Sequence, residues 1–299
     1  HPPQKLPPLR TNSNQQTRVA HAVSLKQRGA SVFLESCPSS RETGIPSAHM
    51  RIALCTRLCL DTHTVPPDRA VCHFCGKNVR MAHPDNPLAW DYHIETCHLD
   101  GYITRRHKHI QTVIAQAAAQ LGQPSELAPV LPGKDKHLRG DLVFDHLPGR
   151  DGLRGLVVDF SIVHHSSQSS PVSEWTPLGK STARAEEKIA KYRKACADIG
   201  RDFMSVVFET TGAIGYSAQD FISLLVSNST SLPQENVTNS DYHRLTSLIA
   251  ATLVRCIGDK FIAMSNIYSP SLHQNRHPTQ EFSFPSHLVS HHSQVSVCA

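Results

Sequence analysis

Cys72-His73-Phe74-Cys75 and His93-Ile94-Glu95-Thr96-Cys97 place four soft donors in the order Cys-x2-Cys-x17-His-x3-Cys. Two thiolates on a tight knuckle, followed by an imidazole and a thiolate sharing one face of a helical turn, suit the tetrahedral N/S preference of structural Zn²⁺. A chain built this way must close residues 72–97 around one ion or leave its thiols to be buried individually. Four such ligands at finger spacing rarely coincide, which favours the ion. His98 adjoins Cys97 and His83 lies inside the loop, so the fourth ligand stays open among the three. Nine Cys is an odd number, unevenly spaced and without a secretory signal, so reduced thiols or metal ligands are expected rather than a disulfide framework.

The rest of the composition limits how much of the chain can pack. Hydrophobic residues make up 39% of the 299, enough for a core, but 20 Pro, 20 His and 6% aromatic residues point to unpacked stretches. Residues 1–44 read as a flexible lead-in, 45–100 as a helical linker with the Cys/His knuckle, 101–264 as the main domain and 265–299 as a disordered tail. No apolar run approaches the roughly 20 residues that span a bilayer, so no membrane partner is expected. The chain opens on His1-Pro2-Pro3 without an initiator Met or an apolar signal core, which leaves room for a longer, soluble, intracellular parent. The net charge of +5 permits polyanion binding without requiring it.

Within 101–264, apolar residues Ile110, Ile114, Ala117 and Leu121 make a helical stripe. Runs at 127–131, 141–144, 156–163 and 203–208 read as strands, the first weakened by Pro129. Helices are expected at 48–60, 181–199, 218–226 and 241–262. Cys55 and Cys59 in the first of these fit a buried face. The order predicts an α/β (α+β) fold, a mixed sheet flanked by helices.

Two sets of residues carry candidate chemistry. Arg105, Arg106 and Lys108 crowd the first turns of the helix after the knuckle, where cations oppose the helix dipole, and this favours phosphate contact over a solvated helix end. Asp141 begins one strand and Asp159 interrupts the apolar run of the next, joined to it by a Gly-rich connection, so the two carboxylates are expected to approach. A shared Mg²⁺ would offset the cost of burying Asp159. Lys188, Lys191 and Tyr192 emerge on one face of the following helix, where a lysine could orient water or stabilise a phosphodiester in transition. Spacing alone favours an ordinary charged helix, with Glu and Lys pairs in water and Tyr192 in the core.

Taken in order, Cys72-x2-Cys75, His93-x3-Cys97, Arg105-Arg106-His107 with Ile110, Arg139-Gly140-Asp141, Val157-Val158-Asp159 and Lys188-x2-Lys191-Tyr192 resemble the C-terminal portion of non-LTR retrotransposon reverse transcriptases. There a Cys-Cys-His-Cys zinc knuckle precedes a restriction-like endonuclease of the PD-(D/E)xK type. The likeness covers about residues 45–225, including Ala53–Leu58, which looks like the helical region that joins polymerase to knuckle. It implies Cys97 as the fourth zinc ligand, Asp141 and Asp159 as ligands of Mg²⁺ or Mn²⁺, and a catalytic lysine. Where the family pattern has that lysine, this chain has Ser161, and the resemblance shifts the role to Lys188 or Lys191. Gly140 stands for the usual proline, and Glu126 is a poor substitute for an auxiliary acid. No Tyr-x-Asp-Asp motif occurs, so a polymerase domain would belong to a longer parent chain.

The expectation is a nuclear, metal-dependent endonuclease module of retrotransposon origin that nicks target DNA, with RNA left open. Two alternatives stand beside it. One is a nucleic-acid-binding zinc-knuckle module whose catalytic site has decayed; the other is a plain zinc-stabilised interaction domain, which leaves Asp159 unexplained.

Overall fold

The computed structural model describes residues 13–35, 43–65, 69–82, 89–98, 101–128, 130–131, 138–148, 154–165, 176–229 and 239–268. Its centre is a four-stranded mixed sheet in the order β1 (Glu126–Leu127), β2 (Leu142–Pro148), β3 (Arg154–Val163) and β4 (Asp202–Glu209). β1 with β2 and β2 with β3 pair antiparallel, whereas β3 and β4 run parallel. A parallel pair needs a crossover, and α7 (Gly179–Ala197) supplies it. The strand expected at 127–131 shrinks to two residues and a bridge between Val130 and Arg139, consistent with Pro129 interrupting the run.

Strand alternation divides the sheet's residues between two cores. Leu142, Phe144, Val158, Phe160, Met204, Val206 and Phe208 pack on one face against α6 (Tyr102–Gln120), α8 (Tyr216–Ser227) and α9 (Asn239–Tyr268). Val143, Val157 and Phe203 pack on the other against Tyr192, Ala195 and Cys196 of α7. Asp159 and Ser161 share the parity of Val157 and therefore face α7.

A further core holds the Cys/His segment. Ile52 of α3 (Ser47–Arg57), Val79 of α4 (Val79–Ala82) and Trp90 and Ile94 of α5 (Ala89–Thr96) pack with Phe261 and Met264 of α9. Because α9 spans this core and the sheet's, the boundary expected at 100/101 is not a physical separation. The helix also runs beyond the expected start of the tail at 265. Tyr268 Oη accepts a hydrogen bond from the His73 N–H at 2.6 Å, and its ring lies 5.6 Å from that of Trp90. The remainder of the expected tail, 269–299, lies outside the described residues. Cys55 and Cys59, expected to be buried, are half-buried. Among the described residues no helix is long and apolar enough to cross a membrane.

The flexible lead-in expected over 1–44 is corrected from residue 13 to residue 35. α1 (Ser13–Leu25) and α2 (Val32–Glu35) dock on the sheet's end, with Ala20, His21, Ser24, Ala30 and Phe33 buried. His21 Nδ1 lies 3.0 Å from His165 Nε2, and His21 Nε2–H donates to Arg57 O at 3.1 Å. Ser24 Oγ donates to the Glu209 carboxylate. Polar groups do much of this docking, and a search for apolar periodicity passes over them.

Gly29 fixes the return of the chain. Its φ is +93°, and a Cβ there would lie 2.4 Å from Ile214 Cγ1 and 2.7 Å from the Gly212 carbonyl, beside the 2.9 Å bond from Ile214 N–H to Arg28 O. Gly200 also has positive φ, +71°, but faces open space. Gly29→Ala is therefore expected to cost about 2–4 kcal/mol in chemical denaturation, through left-handed strain plus overpacking, and Gly200→Ala only about 1 kcal/mol. Equal losses would mean that residues 13–35 contribute nothing to the fold.

Candidate functional site

Backbone geometry brings the four soft donors together. Val71 and Asn78 bridge, the Cys72 N–H bonds Lys77 O at 2.9 Å, and Gly76, at φ +67°, turns the loop so that its N–H reaches Cys72 O at 2.9 Å. The two sulfurs thus sit on one tight hairpin. At the end of α5, the Cys97 N–H closes on His93 O at 2.8 Å and sets those two side chains on one face. The ligand atoms of Cys72, Cys75, His93 and Cys97 all lie within 4.8 Å of one another, with Cys75 Sγ and His93 Nε2 3.4 Å apart. A tetrahedral ion with bonds of about 2.0–2.3 Å has edges of about 3.3–3.8 Å, which the Cys75–His93 separation matches, so the Cys3His cluster can hold a metal such as zinc. Cys97 is buried in the cluster while His98 is exposed, which selects Cys97; His83 lies outside the described residues.

The two carboxylates come from adjacent strands. The Asp141 N–H bonds Val158 O at 2.8 Å at the head of β2, and its Oδ2 accepts the Phe160 N–H at 2.6 Å. Asp159 lies one residue away on β3, 4% exposed, with Lys188 Nζ at 3.1 Å from Oδ1 and 2.9 Å from Oδ2. Burial pushes the Asp159 carboxyl up, the Lys188 hydrogen bond and charge pull it down, and the Asp141 charge pushes it up again. The two acids thus stand on neighbouring strands, close enough for their charges to interact, with a lysine amine on Asp159.

The match between α7 and β3 explains which lysine arrives. Four helical residues rise about 6 Å and two strand residues about 6.6 Å, so an i, i+4 row on the helix keeps step with alternate strand residues. Tyr192 packs in the core with Val157, Lys188 meets Asp159, and Arg184 Nε donates to Ser161 Oγ at 3.4 Å. Lys191 is off this row; it is exposed, with its amine 5.5 Å from the Tyr192 ring centre. Tyr192 stacks on Phe203, and burial, with Asp159 beside it, pushes its hydroxyl up to about 12.

The basic cluster divides. Arg105 and Lys108 are exposed, and the Arg105 guanidinium lies 4.8 Å over the Tyr102 ring. Arg106, expected to contact phosphate, is only 5% exposed, and its charge helps to hold the buried Glu95 carboxylate. It is a core residue, and that expectation is corrected. The exposed Glu126 sits on the short edge strand β1, opposite Val143.

Sequence reasoning passed over three neighbours of the carboxylates. His107 Nε2 lies 3.2 Å from Asp141 Oδ2 and 3.1 Å from Phe160 O; the bond to Asp141 raises the imidazole pKa against the opposing effect of burial. Gln111 Nε2 donates to Asp141 O at 3.0 Å. These two stand at i, i+4 on α6, off its apolar stripe, a spacing that marks a shared polar face. Arg184 is the third, recognisable as one turn before Lys188.

Compared with protein-family models and with curated proteins, the chain matches none.

The purified chain is expected to carry about one equivalent of a thiolate-binding metal such as zinc, measured by elemental analysis. Cys72→Ser or Cys97→Ser should release it and raise hydrogen exchange over 69–98, because binding such an ion contributes folding free energy directly. Metal-free protein with the same exchange protection would contradict the site.

Proposed function

We propose that this chain is a metal-dependent DNA endonuclease module of the restriction-like type, with a zinc knuckle and the exposed start of α6 as its DNA-binding surface. The observation that carries the reading is Asp159, an acid within an apolar strand that feels the charge of Asp141 on the neighbouring strand and bears the Lys188 amine at 2.9 Å. Hard carboxylate oxygens are the donors that Mg²⁺ and Mn²⁺ take, and crowded acids are relieved by a shared cation, so these residues fit the group. Asp141 and Asp159 would hold it; when bound, it polarises the phosphate and lowers the pKa of water.

The protein's own groups do the rest. The Phe160 N–H and Gln111 fix Asp141 through its side chain and backbone, and the α7 row fixes Lys188. Lys188 is placed to stabilise negative charge that grows as water oxygen bonds to phosphorus and the bond to the leaving sugar oxygen breaks. The attacking water gives up a proton and the leaving oxygen gains one, so the hydrolysis is balanced. Arg105 and Lys108 supply sequence-independent phosphate contacts beside the knuckle.

A second reading has its own support. Lys188 neutralises Asp159 directly and Ser161 stands in place of the motif lysine, which also describes a nucleic-acid-binding module whose nuclease has decayed.

Supercoiled plasmid distinguishes them. The nuclease reading expects nicking with Mg²⁺ or Mn²⁺ that falls about 10²-fold or more in Asp159→Ala and Asp141→Asn while duplex binding persists. Binding without nicking in either metal, with activity appearing in Ser161→Lys, would establish the decayed site instead. Neutralising Arg105 and Lys108 together should flatten the salt dependence of binding by about 1.8 log units per decade, roughly 0.9 for each lost phosphate contact. An unchanged slope would remove α6 from the interface.

A further inference from the structure

Three histidine rings from distant parts of the chain meet where α1 docks, just past the end of β3. His165 stacks on His164 with ring centres 4.3 Å apart and stands 4.7 Å from His21. His21 and His165 are each 6% exposed. Their bonding is matched to neutral rings. His21 Nε2–H donates to Arg57 O, so His21 Nδ1 accepts from His165 Nε2–H across 3.0 Å, and His165 Nδ1 keeps a lone pair that no described group meets. One added proton either reverses the bond between the rings or lodges on His165 Nδ1, and in each case leaves a cation out of water. A second sets two N–H groups face to face, where no hydrogen bond can form.

The surroundings supply little countercharge. α3 contributes Arg57, itself a cation, while α2 and α9 face the cavity beside the rings with Phe33, Val254 and Ile257. On α5, Glu95 is met by His164 Nε2 at 3.3 Å and by the Arg106 charge, and Asp91 accepts from the Thr62 N–H and hydroxyl. Tyr92 on the same helix is a neutral phenol, pushed up by burial, and Glu209 at the end of β4 accepts from Ser24. Arg18 of α1 is exposed. The apolar anchorage is small as well: the buried cluster that includes Ala30 has two other members, Leu178 and Ala213, whereas the sheet and α9 hold cores of their own.

We infer that residues 18–35 form a strap that mild acidification releases: His21 and His165 take up protons and α1 leaves the end of the sheet, while the sheet and α9 stay folded. Burial is the largest effect holding both imidazoles below the usual histidine range; the charges of His164 and His21 add to it for His165, and the Arg57 carbonyl and Glu95 oppose it for His21. The released form therefore binds more protons, so docking is complete above the ordinary histidine pKa of about 6.5 and weakens as pH falls through it. Asp91, raised to about 7 by burial, titrates with the opposite sign and does not drive the release.

Hydrogen exchange of the full, zinc-loaded chain, corrected for intrinsic rates, reads the opening of the strap directly. From about pH 7.5 to about pH 5.5, one such histidine raises the opening constant about tenfold and two about a hundredfold. Protection over 18–35 should fall within that range while 202–209 and 69–98 keep theirs. The double variant His21→Gln, His165→Gln retains a donor and an acceptor at each position but cannot gain a proton, and its strap should lose less than about threefold. If that pair fails to dock, His165→Gln alone should lose about tenfold at most. Unchanged protection over 18–35 in the wild type would overturn the inference, as would a loss shared with 202–209 or 69–98, or a loss as large in the Gln variants.

Discussion

An acid in the middle of a buried strand is expensive, and the way Asp159 is compensated sets much of the surrounding structure. A carboxylate with 6% of its side chain exposed needs a countercharge, and Lys188 reaches it from α7 with 15% of its own exposed. Removing either partner of such a pair alone strands the other, a loss of about 3–5 kcal/mol. The pair consequently ties the crossover helix to β3 in one register. Tyr192 one turn on and Arg184 one turn back then fall opposite Val157 and Ser161. Asp141 follows from the same frame, since antiparallel pairing of Leu142 with Val158 brings the head of β2 beside Asp159.

The far end of β3 also meets the Cys/His segment. His164 Nε2 lies 3.3 Å from Glu95 Oε2, and Glu95 stands on α5 between the two metal-ligand candidates His93 and Cys97. Burial pushes the Glu95 carboxyl up, but the His164 and Thr210 bonds and the Arg106 charge bring it below the usual range. His165, stacked on His164, approaches His21 of α1. One strand thus carries the candidate catalytic acid near its middle and the polar clamp to knuckle and N-terminal helix at its end. The Cys3His cluster and Asp159 are thus linked through one strand.

How much of this was legible depends on whether burial follows apolar pattern. β2, β3 and β4 were readable as apolar runs, the Cys3His cluster as soft ligands at metal spacing, and the neighbouring strands of Asp141 and Asp159 from the short connection between them. The choice of Lys188 over Lys191 was not, because both leave the same side of α7 and only the register against β3 separates them. Arg106 was misread although the signal was present. Extending the stripe of Ile110, Ile114 and Ala117 back by one turn lands on Arg106, which places it inside rather than on a basic surface. α1 and its clamp left almost no trace, since the groups buried there include His21, Ser24, Glu95, His165 and Glu209. Buried polar networks are specified by partners distant in sequence, and no local period records them.

The central claim is that Asp141 and Asp159 form a divalent-cation site next to Lys188. It is tested most directly by anomalous diffraction from crystals of the zinc-loaded protein soaked in Mn²⁺. The account predicts one manganese peak within about 2.0–2.4 Å of a carboxylate oxygen of each aspartate, separate from the zinc peak at the Cys3His cluster. A fully soaked crystal with no manganese there, and Lys188 still closed on Asp159, would contradict it.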